Sequence, residues 1–315
     1  MKILVTGSRG TLGRPLLREL RRRGHDVYGC DLRHSEDMWE IRADVSEHRQ
    51  LKQLLGDMGN PDVVCHLAAE FGRVNGAHYP EQLWRTNQLG TRNIIDLCLE
   101  SGARLILAGS SEAYGDYLTN DDGSLSENLL DGKVGTFHNE YALSKWAQER
   151  QVMIAAQNDG LESVVLRFFN AYGPGEFYNP YRSVVCLFCY RLMFGLPITV
   201  YKGYHRVFMY VDDWCETVAN AAERFDDLRE PVYNVGGTEY RSVEEMASLA
   251  IGIIKPANQV VQFLDKEVAN VTNKRPDVSL AMRDLGHDPS ITLEDGLVRT
   301  VEWLRQAYDE NGLLR

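Results

Sequence analysis

The sequence predicts an α/β protein built on a doubly wound parallel sheet, and three observations lead to that prediction. Short apolar strands alternate with amphipathic helices through the first half of the chain. A glycine-rich turn joins the first strand to the first helix. The 315 residues, 44% of them hydrophobic, suffice for one large domain with a smaller one attached.

The first strand, turn and helix have the composition of a dinucleotide site. Strand 2–6 (KILVT) leads into the turn GSRGTLG and the helical run RPLLRELRRRG. Gly7 permits a tight turn, Gly10 lets backbone amides approach a pyrophosphate, and Gly13 lets helix and strand pack closely. The helix N-terminus then faces the phosphate charge. The predicted cofactor contacts in this turn are Gly7, Arg9, Gly10, Thr11, Leu12 and Gly13.

The second strand, HDVYGC, ends at Asp31, about twenty residues beyond the glycine turn. A carboxylate there can accept hydrogen bonds from the adenosine ribose and would repel a 2′-phosphate, which favours NAD over NADP. Arg33 lies close enough to weaken that preference. The third strand, WEIRADV, carries Asp44 and precedes the helical run SEHRQLKQLLGDM.

The alternation continues with the strand DVVCHLAA, an amphipathic helix over 80–101 that contains Asn87, and the strand ARLILAGSS. In a doubly wound sheet the site lies at the carboxyl ends of the strands. We therefore expect Gly7, Asp31, Ala68 and Ser110 to meet at one edge of the sheet. A long polar loop follows Ser110, and a loop of this length is often functional.

That loop leads to a helix that Asn139 and Glu140 can start and that continues through WAQERQVMIAAQ. The spacing of four residues places the Tyr141 phenol and the Lys145 ammonium on one helical face. A neighbouring cation favours the phenolate, so the spacing predicts a lowered Tyr141 pKa and a tyrosine that acts as a base.

Composition excludes several classes of function. A formal net charge of −11 and a pI near 5.3 argue against nucleic acid or an anionic membrane as a partner. No apolar run approaches ~20 residues, and the N-terminus has no signal-peptide pattern, so we expect a cytoplasmic protein without a membrane span. Six scattered cysteines, including the C-x-x-C pair Cys186 and Cys189, are read as buried reduced thiols rather than a metal site.

The segments TGSRGTLG, HLAA, SSEAYG and YALSK, with Asp31 among them, stand in an order that resembles the extended short-chain dehydrogenase/reductases. More specifically, the chain resembles their NAD-dependent nucleotide-sugar epimerase/dehydratase group. RFFNAYGPGE, HRVFMYVDD and NKRPDVSLAMRDLGHDPSITLEDGL in the second half are similar to further segments of that group. Glu140 stands where the family often has proline.

The resemblance implies a Rossmann-type NAD-binding domain over 1–168, to which a segment near 207–235 returns. A smaller C-terminal α/β domain, mainly 169–315, would bind the substrate, a nucleotide-diphosphate sugar. NAD would be held tightly and recycled within one turnover. The helices at 80–101 and 138–158 resemble those through which family members form homodimers.

The resemblance also implies roles for individual residues. Tyr141 would be the base for a sugar hydroxyl, Lys145 would hold the nicotinamide ribose while tuning Tyr141, and Ser110 would hydrogen-bond the reacting hydroxyl. Asp44 and Val45 would flank the adenine, with Leu67, Ala68 and Ala69 lining the cofactor cleft. The expected substrate contacts are Asn170, Arg206 and Arg275 at the diphosphate, with Tyr181 and Arg182 as further candidates.

The family shares oxidation of the sugar at C4, after which its members diverge to 4-epimerases, 4,6-dehydratases and uronate decarboxylases. Ser110-Ser111-Glu112 resembles the Thr-Ser-Glu or Thr-Asp-Glu form of dehydratases and decarboxylases. We therefore favour 4,6-dehydratase chemistry, with Ser111 in the catalytic set and Glu112 as the base at C5. A 4-epimerase or a uronate decarboxylase is the alternative. A ketone reductase or a non-catalytic NAD-binding protein agrees less well with the sequence.

Overall fold

A computed structural model of the chain describes residues 1–115, 119–267 and 270–314. Its centre is a parallel seven-stranded sheet in the order β11-β6-β5-β4-β1-β2-β3. The fourteen strands of the described residues, numbered along the chain, are β1 (Lys2–Thr6), β2 (Asp26–Asp31), β3 (Glu40–Arg42), β4 (Val63–His66), β5 (Arg104–Ser110), β6 (Ser163–Phe169), β7 (Ala171–Tyr172), β8 (Ile198–Tyr201), β9 (His205–Val207), β10 (Met209–Tyr210), β11 (Val232–Gly236), β12 (Tyr240–Ser242), β13 (Val261–Leu264) and β14 (Asn273–Lys274).

Helices cover both faces of this sheet. The α-helices of the described residues are α1 (Gly13–Arg22), α2 (His48–Met58), α3 (Arg73–His78), α4 (Pro80–Trp84), α5 (Gly90–Ser101), α6 (Glu140–Asp159), α7 (Val184–Met193), α8 (Val211–Glu223), α9 (Val243–Ile254), α10 (Ser279–Leu285) and α11 (Leu293–Ala307). A π-helical turn, Arg85–Leu89, joins α4 to α5, so the predicted helix over 80–101 forms with a wider turn inside it.

The sheet topology confirms the doubly wound prediction. β2 and β3 lie on one side of β1, whereas β4, β5 and β6 lie on the other, so the strand order reverses between β1 and β4. A crevice opens at the carboxyl ends of the strands at such a reversal, and dinucleotides bind there. The predicted residues lie at these ends, since β2 ends on Asp31 and β5 ends on Ser110.

The two faces of the sheet bury separate apolar clusters. Ile3 and Val5 point to the face covered by α1, whereas Leu4 points to the face covered by α2 and α5. All four residues of β4 are buried, as expected for a central parallel strand. The core thus fixes the strand ends that carry the candidate site.

The second half of the chain contributes to the sheet and also forms smaller sheets. β11 pairs with β6 at the sheet edge, and Arg23 at the end of α1 bonds Glu223 on α8 at 2.7 Å. The smaller sheets are β12-β9-β14, β13-β8 and β10-β7. The division of the chain near residue 168 stays a prediction.

Two further features concern the cysteine thiols and the length of the helices. All six cysteines are buried thiols, and burial raises the pKa of Cys65 and of Cys30 to about 12, so neither is a reactive nucleophile. Within the described ranges, every helix is too short or too polar to cross a membrane.

Candidate active site

The glycine turn after β1 is built on close backbone approach. Gly7 has a φ of +69°, and a Cβ there would lie 2.9 Å from the Ala68 nitrogen. A Cβ on Gly13 would lie 2.2 Å from the Gly7 carbonyl oxygen, closer than real carbon atoms approach. The roles expected for these two glycines, the turn and the helix–strand contact, match this geometry.

Gly13→Ala is expected to abolish NAD retention, because the added methyl group must push α1 away from the turn that faces the cofactor. Gly56→Ala, in α2, is the matched control, since a Cβ there meets nothing within 4 Å. We would measure the NAD that copurifies with each variant and its thermal unfolding. A Gly13→Ala protein with full NAD occupancy would contradict this assignment.

Asp31 organises the turn from the end of β2. Its carboxylate accepts hydrogen bonds from the backbone amides of Arg9 and Arg33, each at 3.0 Å. In the same turn the Thr11 hydroxyl is buried without a hydrogen-bond partner among the described residues. A buried unsatisfied hydroxyl costs roughly 1–3 kcal/mol, and a pyrophosphate oxygen would satisfy it. These residues fit a dinucleotide, with Asp31 placed for its adenosine ribose.

The floor of the cleft is fixed by a buried hydrogen-bond chain. The Thr6 hydroxyl accepts hydrogen bonds from the backbone amides of Leu67 and Ala68, at 3.2 and 3.1 Å. It also forms a hydrogen bond with His66 Nδ1 at 2.7 Å. His66 Nε2 lies 3.2 Å from the Thr91 hydroxyl. Burial, helped by the nearby Lys145 charge, lowers the His66 pKa to about 3, so this ring is neutral. No local pattern in the sequence indicates this role of His66, the histidine of HLAA.

The residues expected near adenine follow β3. The Asp44 carboxylate caps the start of the next turn by accepting hydrogen bonds from the backbone amide and the hydroxyl of Ser46, each at 2.8 Å. The Val45 carbonyl accepts a hydrogen bond from Asn93 at 2.9 Å, which ties this turn to α5. Ala69, like Leu67 and Ala68, is partly exposed at the carboxyl end of β4.

Helix α6 begins as the sequence predicts. Asn139 is its N-cap, and its side-chain oxygen accepts the Ala142 amide at 2.8 Å. Lys145 is only 4% exposed, and its ammonium donates to the Ala108 carbonyl on β5 at 2.7 Å. Burial lowers the Lys145 pKa to about 8, against the opposing charge of Glu149.

Tyr141 differs from the expectation in its acidity. Burial raises the pKa of its phenol to about 12, the Glu112 carboxylate adds to the rise, and a hydrogen bond with Ser110 opposes it. The helical spacing predicted a lowered pKa through Lys145, but the Lys145 ammonium is directed to the Ala108 carbonyl. The protein alone therefore holds Tyr141 as a neutral phenol beside Ser110.

Glu112 forms an ion pair that the sequence did not reveal. It is the second residue of a short 3₁₀ turn, Ser111–Tyr114, where its amide donates to the Ser110 hydroxyl at 3.2 Å. Its carboxylate pairs with the Lys274 ammonium, and the two side chains are 17% and 5% exposed. Burial opposes ionisation of Glu112, but Lys274, with Arg73 and Arg206, holds its pKa below the ordinary value. Glu112 is thus an ionised carboxylate beside Ser110 and Tyr141.

The cationic side of the site comes from β9 and β14, which pair with Lys274 opposite Arg206. The buried Arg206 guanidinium donates to the carbonyls of His205 and Thr272 at 2.8 and 2.7 Å. It also lies 5.6 Å from the centre of the Tyr204 ring. Arg206 thus anchors segment 270–272 and contributes positive charge to the site.

Arg275, which follows β14, forms a different ion pair. It is half-buried and pairs with Asp122 at 2.5 Å. Asn170, after β6, has a φ of +45°, and its side-chain amide donates to the Val207 carbonyl at 2.9 Å. Asparagine tolerates this left-handed conformation, which holds the β6–β7 connection against β9. Phosphate contacts by Asn170, Arg206 and Arg275 stay predictions.

The two weaker substrate candidates contact the segment after β4. Tyr181 lies 3.1 Å from the His78 ring nitrogen, and the Arg182 guanidinium lies 4.7 Å from the centre of the Phe71 ring. Both pack the C-terminal half against segment 70–79 at the mouth of the cleft. The remaining candidate, Ser111, is buried next to Ser110. Residues 116–118 of the long loop that we predicted to be functional lie outside the described residues.

Asn87, which the sequence predicted only as part of a helix, holds Glu70 and Ser144 in position. Its side chain is fully buried, and the side-chain oxygen accepts a hydrogen bond from the backbone amide of Glu70 at 2.8 Å. The side-chain nitrogen donates to the Glu70 carbonyl and to the Ser144 hydroxyl, each at 3.0 Å. Asn87 lies in the π-helical turn, and such turns are frequent at functional sites. It joins the segment after β4 to α6.

Comparison with known proteins agrees with this arrangement. The model of the NAD-dependent epimerase/dehydratase family matches residues 3–236. The UDP-N-acetyl-α-D-glucosaminuronate decarboxylase of Bacillus cytotoxicus is 27% identical over 326 residues, covering 98% of this chain and 99% of that protein. UDP-glucuronic acid decarboxylase 1 of Danio rerio is 28% identical over 318 residues, covering 98% of this chain and 73% of that protein.

Solved structures give the same picture. The NAD complex of Thermus thermophilus UDP-glucose 4-epimerase superposes with a TM-score of 0.84 at 26% identity, covering 98% of this chain and all 100% of that one. Bacillus cereus UDP-glucuronic acid 4-epimerase, bound to UDP-glucuronic acid and NAD, has a TM-score of 0.85 at 25% identity with the same coverage. A family model that spans most of the chain, together with a site that fits a dinucleotide, leads to one conclusion. The chain belongs to the NAD-dependent epimerase/dehydratase family of the extended short-chain dehydrogenase/reductases.

Proposed function

We infer that the chain is a decarboxylase that acts on a UDP-uronate, oxidises its sugar at C4 and releases the C6 carboxylate as carbon dioxide. The observation that carries this proposal is the ionised Glu112–Lys274 pair beside Ser110 and Tyr141. NAD, when bound, supplies the acceptor and later the donor of the C4 hydride. The relatives named decarboxylases add support, because they match the chain over nearly its whole length.

The shared first step falls to Tyr141 and Ser110. Ser110 hydrogen-bonds the phenol, so both groups are placed to hold the sugar C4 oxygen. Tyr141 takes its proton as the phenolate, a form that the positive charge of the oxidised nicotinamide would favour. The buried Lys145 ammonium adds positive charge next to the cofactor cleft. A ketone then forms at C4, in the β position relative to the uronate carboxylate.

Carbon dioxide loss needs little further chemistry from the protein. The bond between C5 and the carboxylate breaks, and its electron pair moves into the C4 ketone to give an enolate. Ser110 and Tyr141 would donate hydrogen bonds to that oxygen. A proton must then reach C5, and we assign this to the Lys274 ammonium, whose pKa is lowered by burial although Glu112 opposes the shift. Hydride return to C4, together with return of the proton from Tyr141 to the C4 oxygen, completes the product, and solvent restores the proton that Lys274 gave up.

The same pair argues against the 4,6-dehydratase that the sequence favoured. Removing the C5 proton requires a basic carboxylate, yet Lys274 holds the Glu112 pKa below its ordinary value in spite of burial. Loss of the C6 hydroxyl needs an acid, and the neighbouring side chain is the Ser111 hydroxyl, a weak one. A 4-epimerase is the second candidate, supported by the epimerase folds that superpose on the chain.

Product mass tests the proposal. Purified protein with its bound NAD, incubated with UDP-glucuronic acid and no added cofactor, is expected to yield a product that lacks the mass of carbon dioxide. An unchanged mass with a new sugar configuration would establish 4-epimerisation instead. Loss of water from UDP-glucose would restore the dehydratase reading.

A further inference from the structure

Helix α3 brings Arg73 to the edge of the catalytic centre. This helix packs directly on the catalytic tyrosine, because a Cβ built on Gly76 would lie 3.5 Å from the Tyr141 Cβ. The Gly76 amide bonds the Gly72 carbonyl at 2.9 Å, so Arg73 lies within one turn of that contact. No motif in the sequence pointed to Arg73.

Arg73 forms an ion pair with a carboxylate from the other half of the chain. Its guanidinium lies 2.6 Å from the Glu267 carboxylate, and the side chains are 20% and 24% exposed. The Glu267 amide donates to the Tyr204 hydroxyl at 2.9 Å, and Asn270 bonds its carboxylate. Glu267 is thus held in place at the side of the cleft.

A second ion pair, Glu112–Lys274, belongs to the same cluster of charged side chains. Lys274, Arg206 and Arg73 contribute positive charge to it, and Glu112 and Glu267 contribute negative charge. Arg73 acts on both members of the Glu112–Lys274 pair, since it lowers the pKa of each. Arg73 already holds a carboxylate at the side of the cleft, so its guanidinium has the geometry to hold the carboxylate of a ligand.

We propose that Glu267 stands in for the substrate carboxylate and that a uronate displaces it from Arg73 on binding. Arg73 then selects sugars that carry a carboxylate over neutral hexoses, and Glu267 weakens their binding by competing for the same guanidinium. No bond is made or broken, since one ion pair replaces another. This inference rests on the proposed uronate substrate and adds the residues that recognise it.

Binding measured by calorimetry separates this role from a structural one. Every protein carries Tyr141→Phe, so that the ligands are not consumed, and retains its NAD. UDP-glucuronic acid and UDP-glucose are titrated into the parent, Arg73→Ala, Glu267→Gln and the double variant. Arg22→Ala removes an arginine from an exposed pair on α1 and serves as the matched control.

The parent is expected to prefer UDP-glucuronic acid. Arg73→Ala should weaken the binding of UDP-glucuronic acid roughly ten- to hundredfold, because a charge-assisted hydrogen bond is lost. The affinity for UDP-glucose should stay unchanged. Glu267→Gln should increase the affinity for UDP-glucuronic acid about threefold or more, and the double variant should lose this increase. Arg22→Ala should behave as the parent does.

Each contrary result has its own meaning. Two results would contradict the replacement of Glu267 by the substrate carboxylate without contradicting the proposed reaction. In one, the Arg73→Ala protein still prefers UDP-glucuronic acid over UDP-glucose. In the other, the Glu267→Gln protein binds both ligands more weakly. A parent that does not distinguish the two ligands would contradict the uronate substrate itself, and the exchange with it.

Discussion

Tyr141→Phe is expected to lower turnover by about 10³- to 10⁴-fold, the largest single effect that we predict. The change removes only the phenolic oxygen, which is the group that Ser110 hydrogen-bonds and that Glu112 acts upon. The helix should survive, because Asn139 still caps it and Lys145 still bonds the Ala108 carbonyl. Single-turnover measurement of reduced cofactor would show whether the loss lies in C4 oxidation.

Tyr172→Phe is the matched control for that experiment. Tyr172 is almost fully buried, and its hydroxyl makes one long contact, 3.4 Å, with the Leu293 carbonyl. Its removal should change stability slightly and leave turnover within about twofold of the parent. Full turnover in Tyr141→Phe would contradict the assignment of the base.

Glu112→Gln is expected to lower formation of the decarboxylated product by about 10²- to 10³-fold while C4 oxidation continues. The substitution keeps the shape of the side chain but removes the negative charge that partners Lys274. Lys274, buried and with its pKa already lowered by burial, then loses its ion-pair partner and with it the charged form that we assign as proton donor to C5. Reduced cofactor should therefore accumulate on the variant, which absorbance would detect.

Breaking a buried ion pair also costs about 3–5 kcal/mol of stability, so folding must be measured beside activity. Glu127→Gln is the control, because Glu127 is a buried carboxylate away from the site that accepts the Asn234 amide at 2.7 Å. It should destabilise the protein without trapping reduced cofactor. Unchanged turnover in a folded Glu112→Gln protein would remove the pair from the mechanism.

Local patterns predicted the geometry of the glycine turn and of the α6 N-cap, because each involves residues that are close in sequence. The turn 7–13, Asp31 and the N-cap Asn139 each follow from glycine geometry or capping, and the structure places them accordingly. The alternation of strands and helices likewise fixed the sheet topology. Nothing in these patterns depends on distant contacts.

The substrate half depends on pairs that are distant in sequence. Glu112 meets Lys274 across 162 residues and Arg73 meets Glu267 across 194, so neither partner can be inferred from local spacing. The resemblance singled out Arg275, which follows β14, yet its neighbour Lys274 is the residue that reaches Glu112. The Tyr141 pKa was misjudged for the same reason, since burial and Glu112 outweigh the helical neighbour.

The predicted homodimer and cytoplasmic location stay predictions. Leu89 and Ile154, on the helical segments expected to form the dimer, are 47% and 56% exposed. Apolar side chains left in water at these positions suit burial by a second copy.

The most direct test of C4 oxidation followed by carbon dioxide loss uses UDP-glucuronic acid that carries deuterium at C4. With NAD recycled inside the site, the product is expected to lack the carboxylate and to keep the label at C4, with none released to added NAD. A product that has lost the deuterium, or any product that keeps the carboxylate, would contradict the account.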